Sequence, residues 1–297
     1  MRASFGIGAE PALTALTAME CDCCDDHPRL TANGRLRLGM PQLSGLGLSE
    51  TWLLEKCGDI HWSLICEWMG RPSQTLRDGA GNRVYPSFIA LCVAGGLAGY
   101  GESDSLSYES ALTRSSGTRF ESRHLWSSGS QQLEVGMVSI FLRRRDRRGN
   151  HLERVEIPGA PAFGPLWRMS DLERSFRDQR ARPAGTAPSL AEFVWQPALA
   201  LDYNGAGLLY FARYHQLVER AEVAWFGETA DSCYGLNRRE TYYFANLSPG
   251  EAVRVGFQKA FDADGIRRHE AEIRCAGDGR LMARVLTSKA RREFPAH

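Results

Sequence analysis

Apolar and polar positions along the chain run through the same order twice: a helical repeat, then a series of strand-like segments. In the first round Ser49 is a candidate N-cap for a helical repeat over residues 50–68. Gly58 interrupts that repeat, which predicts two helical pieces or a kink. After a polar turn at residues 77–83, strand-type patterns cover residues 85–93, 107–115, 118–127, 131–145 and 152–157. Pro158, Pro161, Pro165, Pro183 and Pro188 then bracket an irregular basic connector, with one short helix near residues 170–179. In the second round a loop and helix over residues 202–226 precede strands at 238–245, 251–261, 265–275 and 280–289. Ser248-Pro249-Gly250, Asp264-Gly265 and Asp278-Gly279 supply the turns.

A long helix followed by antiparallel strands, twice, is α+β. One such sheet could wrap a helix but would leave an edge open, so pairing the two side by side is expected. The expected fold is a double hot-dog with a ligand tunnel at the joint, each half a helix held in a curled antiparallel sheet. The expected divisions are a flexible leader (1–36), an N-terminal half (37–158), a connector (159–190) and a C-terminal half (191–297).

Composition narrows the function classes. The chain has 297 residues and a net charge of +1, so no global field favours nucleic acid or a membrane surface. No stretch approaches the ~20 apolar residues that span a bilayer, and the N-terminus lacks a continuous apolar signal, so a cytoplasmic location is expected. Cys57, Cys66 and Cys92 lie in apolar segments that suit free thiols. Cys21, Cys23, Cys24 and His27 offer enough ligands for zinc, but the C-x-C-C spacing fits no common finger, and a disordered leader is the simpler reading. Neither G-x-G-x-x-G after a strand nor H-E-x-x-H occurs, so no resident metal, nicotinamide or flavin is expected. The basic run at residues 143–148 is either the solvated end of a hairpin or a patch that steers an anionic cofactor or an acidic partner. The chain is expected to be a monomer or a homodimer.

The most informative stretch is Asp202-Tyr203-Asn204-Gly205-Ala206-Gly207, which leads into an apolar repeat expected to be helical from Leu208. Gly205 and Gly207 let backbone amides approach a ligand, and amides at a helix start polarise a carbonyl. The bland alternative is an ordinary turn into a helix.

Tyr243-Phe244-Ala245-Asn246-Leu247-Ser248-Pro249-Gly250-Glu251 and Gly279-Arg280-Leu281-Met282-Ala283-Arg284-Val285 resemble hot-dog thioesterase strands. From Met40 onward the chain more closely resembles the LnmK-like double hot-dog proteins of polyketide biosynthesis. The segments carrying this are Gly47-Leu48-Ser49-Glu50, Gly58-Asp59-Ile60-His61-Trp62, Arg83-Val84-Tyr85-Pro86-Ser87-Phe88 and the 202–214 loop. The resemblance implies an acyltransferase and decarboxylase that takes an alkylmalonyl group from coenzyme A and delivers the decarboxylated acyl group to an acyl carrier protein. It implies an acylated tyrosine, for which Tyr85 fits best, and places Gly47 and Tyr210 on the substrate side with Gly205, Gly207 and Phe88.

Read as chemistry, Tyr85 needs a base or oriented donors to act, since a free phenol titrates near ~10. It can instead donate to a thioester carbonyl and stabilise an enolate, with Phe88 beside it as apolar surface. His61 is a candidate base, or simply a packed histidine. Ser49 is a cap that can still face a ligand. Asn204 either donates to a carbonyl or shapes the turn. Glu219 and Glu222 are candidate general bases or an exposed helix face. A hot-dog thioesterase or dehydratase, and a non-catalytic carrier or acyl-chain binding module, are the competing expectations.

Overall fold

In a computed structural model of the chain, residues 30–116, 118–145, 150–158, 169–183, 185 and 189–292 are described. The N-terminal half contains strand β1 (Leu30–Arg37), helix α1 (Glu50–Met69), β2 (Tyr85–Ala94), β3 (Ser105–Ser116), β4 (Arg119–Ser128), β5 (Gln131–Arg144) and the short β6 (Leu152–Arg154). Helix α2 (Asp171–Ala181) lies in the connector. The C-terminal half contains β7 (Ala191–Trp195), α3 (Arg213–Phe226), β8 (Tyr234–Tyr243), β9 (Val253–Ala263), β10 (Ile266–Cys275) and β11 (Leu281–Arg291).

The strands join in one antiparallel sheet in the order β1-β3-β4-β5-β2-β8-β11-β10-β9-β7, with β6 added to β5. Each half has one order: its first strand at the far edge, then its third, fourth and fifth, then its second at the joint. The two second strands, β2 and β8, pair with each other, Val93 opposite Arg239 and Leu91 opposite Thr241. This is the double hot-dog expected from the pattern, and the repeated topology makes the halves pseudo-equivalent.

Helix α1 is capped by Ser49, whose Oγ accepts from the Trp52 amide, and stopped by Gly70 at φ 63°. Leu53, Leu54, Cys57, Ile60, Leu64, Ile65 and Trp68 form its buried stripe against the sheet. Helix α3 buries Tyr214, Leu217, Val218 and Ala221 in the same continuous core. On the opposite face of the sheet, Phe176 of α2 packs with Ile89, Ala90, Val138 and Tyr242 across the joint. Arg284 anchors the end of α2. It donates to the carbonyls of Arg182 and Pro183 at 3.1 and 2.6 Å and pairs with Glu272.

Several expectations are corrected. Residues 30–36, expected in the leader, belong to β1, where Leu30 and Ala32 are buried on alternate positions against β3. Helix α1 continues unbroken through Gly58, because the missing Cβ makes room for a neighbour: a Cβ there would stand 2.9 Å from the Phe211 ring. The second helix begins at Arg213 and not at Leu208, since Leu209 makes a β-bridge to Tyr203 and the Leu209 amide goes to Asn246. Edge strand β7 lay unnoticed in the sequence. The cysteine cluster at residues 21–24 and the basic residues 146–148 lie outside the described residues.

Candidate functional site

Two adjoining cavities open where the halves meet. The first, of about 610 Å³, is lined by Trp62, Phe88, Tyr210, Phe211, Tyr214, Tyr243 and Phe244. Its polar lining includes Asn150, His151 and Asn246, together with Arg119, Arg145, Arg154, Arg180 and Arg280. The second, of about 770 Å³, is lined by Lys56, Asp59, Cys66, Arg83, Tyr85 and Tyr108. Trp62, Pro86, Asn204 and Leu208 line both and form the partition between them. The aromatic wall is continuous: the ring centroids of Phe88 and Phe211 are 4.6 Å apart, Phe88 and Trp62 5.0 Å, and Tyr210 and Phe211 4.7 Å.

The 202–211 loop is held from within. Asn204 Oδ1 accepts from the amides of Ala206 and Leu208 at 3.0 and 3.1 Å, and the Asn204 carbonyl accepts from Gly207 at 2.7 Å. Asn246 Oδ1 takes the Leu209 amide, and Asn150 Nδ2 donates to the carbonyls of Gly207 and Leu247. The amides expected to cradle a ligand are therefore largely used by the turn itself. Gly207, at φ +67°, supplies the left-handed residue of that turn, and a Cβ there would press on Arg144. Gly205 has open space around it.

Among the other sequence candidates, Tyr85, Phe88, Tyr210 and Asn204 converge on the paired cavities. The guanidinium groups of Arg83 and Arg144 lie over the Tyr85 ring, 5.2 and 5.8 Å from its centroid. The Tyr85 hydroxyl has no hydrogen-bond partner among the described residues. Burial first, then Asp59 and Glu55, push the Tyr210 phenol well up. Of the 143–148 run, Arg143 is engaged by Asp78 and Glu153, Arg144 donates to the Ala206 carbonyl, and Arg145 lines the first cavity.

His61 is elsewhere. It is fully buried, with Nδ1 2.6 Å from Ser122 Oγ and Nε2 2.7 Å from Ser139 Oγ. The chain continues from Ser122 to His124 and on to Ser110 at 2.8 Å each. Both of its ring nitrogens are committed, and it lines neither cavity. Gly47, at φ +120°, allows a close backbone crossing, since a Cβ would lie 2.2 Å from the Leu97 carbonyl oxygen.

Ser49 lines a third cavity, of about 430 Å³, with Glu50, Thr51, His215, Glu219 and Lys289. Behind it lies a buried charge network that the sequence reading missed. Arg239, with no exposed side-chain surface, reaches Glu219 at 2.7 Å and Glu222 at 2.9 Å and also pairs with Glu50. The carboxylates of Glu219, Glu222 and Asp231 converge, and the Lys289 ammonium sits among them, 3.2 Å from Glu219 and from Asp231. Burial raises the Glu222 carboxyl, but Arg239, His269 and Lys289 outweigh it and hold the group well below the carboxylate range. Glu219 moves the other way, pushed up by burial and then by Glu222. Glu222 is thus an internal counter-ion, while Glu219 keeps a third of its side chain exposed at the cavity. The clue in the sequence was a charged residue at inward positions of β8 and β11, where alternation calls for apolar ones.

Solved structures share this fold. A 12:0-ACP thioesterase from Umbellularia californica superposes with a TM-score of 0.66 at 13% identity, over 88% of this chain and 94% of that one. An acyl-ACP thioesterase from Bacteroides thetaiotaomicron gives 0.60 at 10% identity, over 87% and 97%. Neither a protein-family model nor a curated protein matches the sequence. No helix among the described residues is long and apolar enough to cross a membrane.

Proposed function

We propose that this protein acts on acyl thioesters of a phosphopantetheine arm, borne by coenzyme A or an acyl carrier protein, and that hydrolysis is its main reaction. The observation that carries this is the first cavity: an aromatic interior fitted to an acyl chain, and arginines fitted to the phosphate of the arm. The fold it shares with acyl-ACP thioesterases supports the same reading. Water attack on a thioester needs a proton acceptor. Among the described residues two carboxylates line the paired cavities, Glu153 and Asp59; Glu153 is engaged by Arg143, which leaves Asp59. Burial pushes the Asp59 carboxyl up against the opposing pull of Lys56, as suits a group that must take a proton.

A second reading is decarboxylative transfer of an alkylmalonyl group to a carrier protein, in line with the resemblance to LnmK-like proteins. The specific observation favouring it is Tyr85, which lines the second cavity, has no hydrogen-bond partner for its hydroxyl among the described residues, and has the Arg83 and Arg144 guanidinium groups near its ring. Loss of carbon dioxide requires no base, only a donor for the enolate oxygen.

One experiment separates the two. Wild type, Asp59→Asn and Tyr85→Phe are incubated with medium-chain acyl-CoA, methylmalonyl-CoA and a carrier protein, and free thiol and intact mass are followed. Hydrolysis lost in Asp59→Asn and kept in Tyr85→Phe supports the thioesterase. A decarboxylated acyl group on the carrier, lost in Tyr85→Phe, supports transfer. No turnover of any thioester by wild type refutes both.

A further inference from the structure

Tyr243 lines the aromatic cavity, and its hydroxyl also reaches the buried charge network. It stands 3.3 Å from Nε2 of His215, and Nδ1 of the same ring is 2.9 Å from Glu50 Oε1. All three are withdrawn from solvent: His215 is 1% exposed, Tyr243 8%, and the Glu50 side chain 10%. Burial would raise the Glu50 carboxyl, but Arg239 and His215 outweigh it and keep it ionised. An ionised carboxylate only accepts, so Nδ1 of His215 carries a proton. Arg239 holds the second oxygen of Glu50, and it is itself fixed by Glu219 and Glu222 with Lys289 beyond them.

The Tyr243 hydroxyl therefore has one proton and two places to put it. With His215 neutral, the O–H donates to Nε2. With His215 as imidazolium, Nε2–H donates to the phenol oxygen, and the hydroxyl proton turns to the Phe211 carbonyl, 3.1 Å away. Phe211 is itself part of the cavity wall. A donor that is already receiving a charged hydrogen bond donates more strongly in turn.

We propose that Tyr243 is a catalytic residue whose hydroxyl donates to the thioester carbonyl oxygen bound beside Phe211, and that His215 and Glu50 are the positioning pair that aims it. Substrate oxygen replaces the Phe211 carbonyl as acceptor, and the bond strengthens as negative charge gathers on that oxygen. The charge is a tetrahedral oxyanion in hydrolysis and an enolate in decarboxylation, so the inference rests on the acyl-thioester reading but not on which reaction follows. No bond to Tyr243 is made or broken beyond the hydrogen bond.

The test uses a non-cleavable ketone analogue of a medium-chain acyl-CoA, labelled with carbon-13 at the carbonyl, beside kinetics on the thioester. Removing one such donor lowers kcat by about 100-fold. Tyr243→Phe is expected to show that loss with KM within about threefold, and to abolish the downshift of the carbonyl stretch seen in wild type while still binding the analogue. His215→Gln is expected to weaken the downshift, a change that a purely structural role would not produce. It carries the test if Tyr243→Phe fails to fold. An unchanged stretch and kcat in the folded variants overturn this inference alone. A wild type that neither binds the analogue nor turns over any thioester overturns the acyl-thioester reading and this inference with it.

Discussion

Gly58 of α1 and Phe211 of the α3 approach loop meet so closely that a Cβ on the glycine would stand 2.9 Å from the tip of the phenylalanine ring. This contact joins the helix of one half to the loop of the other, at the wall of the cavity. Gly58→Ala sets two terms against each other. Alanine is favoured in a helix interior by about 1 kcal/mol, while crowding a packed site costs about 1–3 kcal/mol. Phe211 has the cavity on its other side and can retreat into it, which lowers the crowding cost. The expected result is a stability change within about 1 kcal/mol by urea unfolding. Medium-chain acyl-CoA should bind at least several-fold more weakly, because the ring now fills acyl space. Unchanged binding would remove Phe211 from the acyl wall.

The chain Ser139–His61–Ser122–His124–Ser110 gives stability a pH dependence of definite sign. Burial pushes His124 down to about 3, and burial, then His124, holds His61 well below its ordinary value. The unfolded chain takes up protons below about pH 6.5 that the folded chain refuses. Stability is thus complete above that pH and is lost as pH falls toward the folded values, at up to about 1.4 kcal/mol per pH unit for each histidine. His124→Gln should lessen that slope between about pH 6 and 4.5. A slope equal to wild type would contradict the assignment.

Lys289 is the cation on which Glu219, Glu222 and Asp231 converge, with only 2% of its side chain exposed. Lys289→Met leaves the buried carboxylates of Glu222 and Asp231, and the partly exposed one of Glu219, short of one positive charge. Breaking such a network from one side costs about 3–5 kcal/mol. Equilibrium unfolding should register that loss; a loss below about 1 kcal/mol would mean the ion pairs are weak.

Arg154 and Arg180 are exposed and line the first cavity. Reversing both charges should lower kcat/KM for carrier-borne substrate by about tenfold at low salt, and the gap should close near ~0.5 M salt as screening removes the attraction. The same loss at all salt concentrations would point to a direct contact with substrate instead.

Much of the fold was legible because each half buries one face of a sheet against one helix, which writes period two and period 3.6 plainly into the sequence. What the pattern hid has physical causes. Strand β1 reads as leader because Thr31, Asn33 and Arg35 alternate with small residues, Ala32 and Gly34. Leu208 and Leu209 look helical, yet Asn246, distant in sequence, claims the Leu209 backbone at both its amide and its carbonyl. The sequence names Phe88, Tyr85, Asn204 and Tyr210 one by one, and the fold brings them to the paired cavities. The Glu50–His215–Tyr243 relay was not legible there, because its members come from α1, α3 and β8 and meet only when the halves close on each other.

The most direct test of the acyl-thioester site is a crystal structure with a non-cleavable ketone analogue of medium-chain acyl-CoA. The acyl chain is expected between Phe88, Phe211 and Tyr243, with the phosphates toward Arg154 and Arg180. An acyl chain bound instead in the cavity of Ser49 and Glu219, or no binding at saturating analogue, would contradict it.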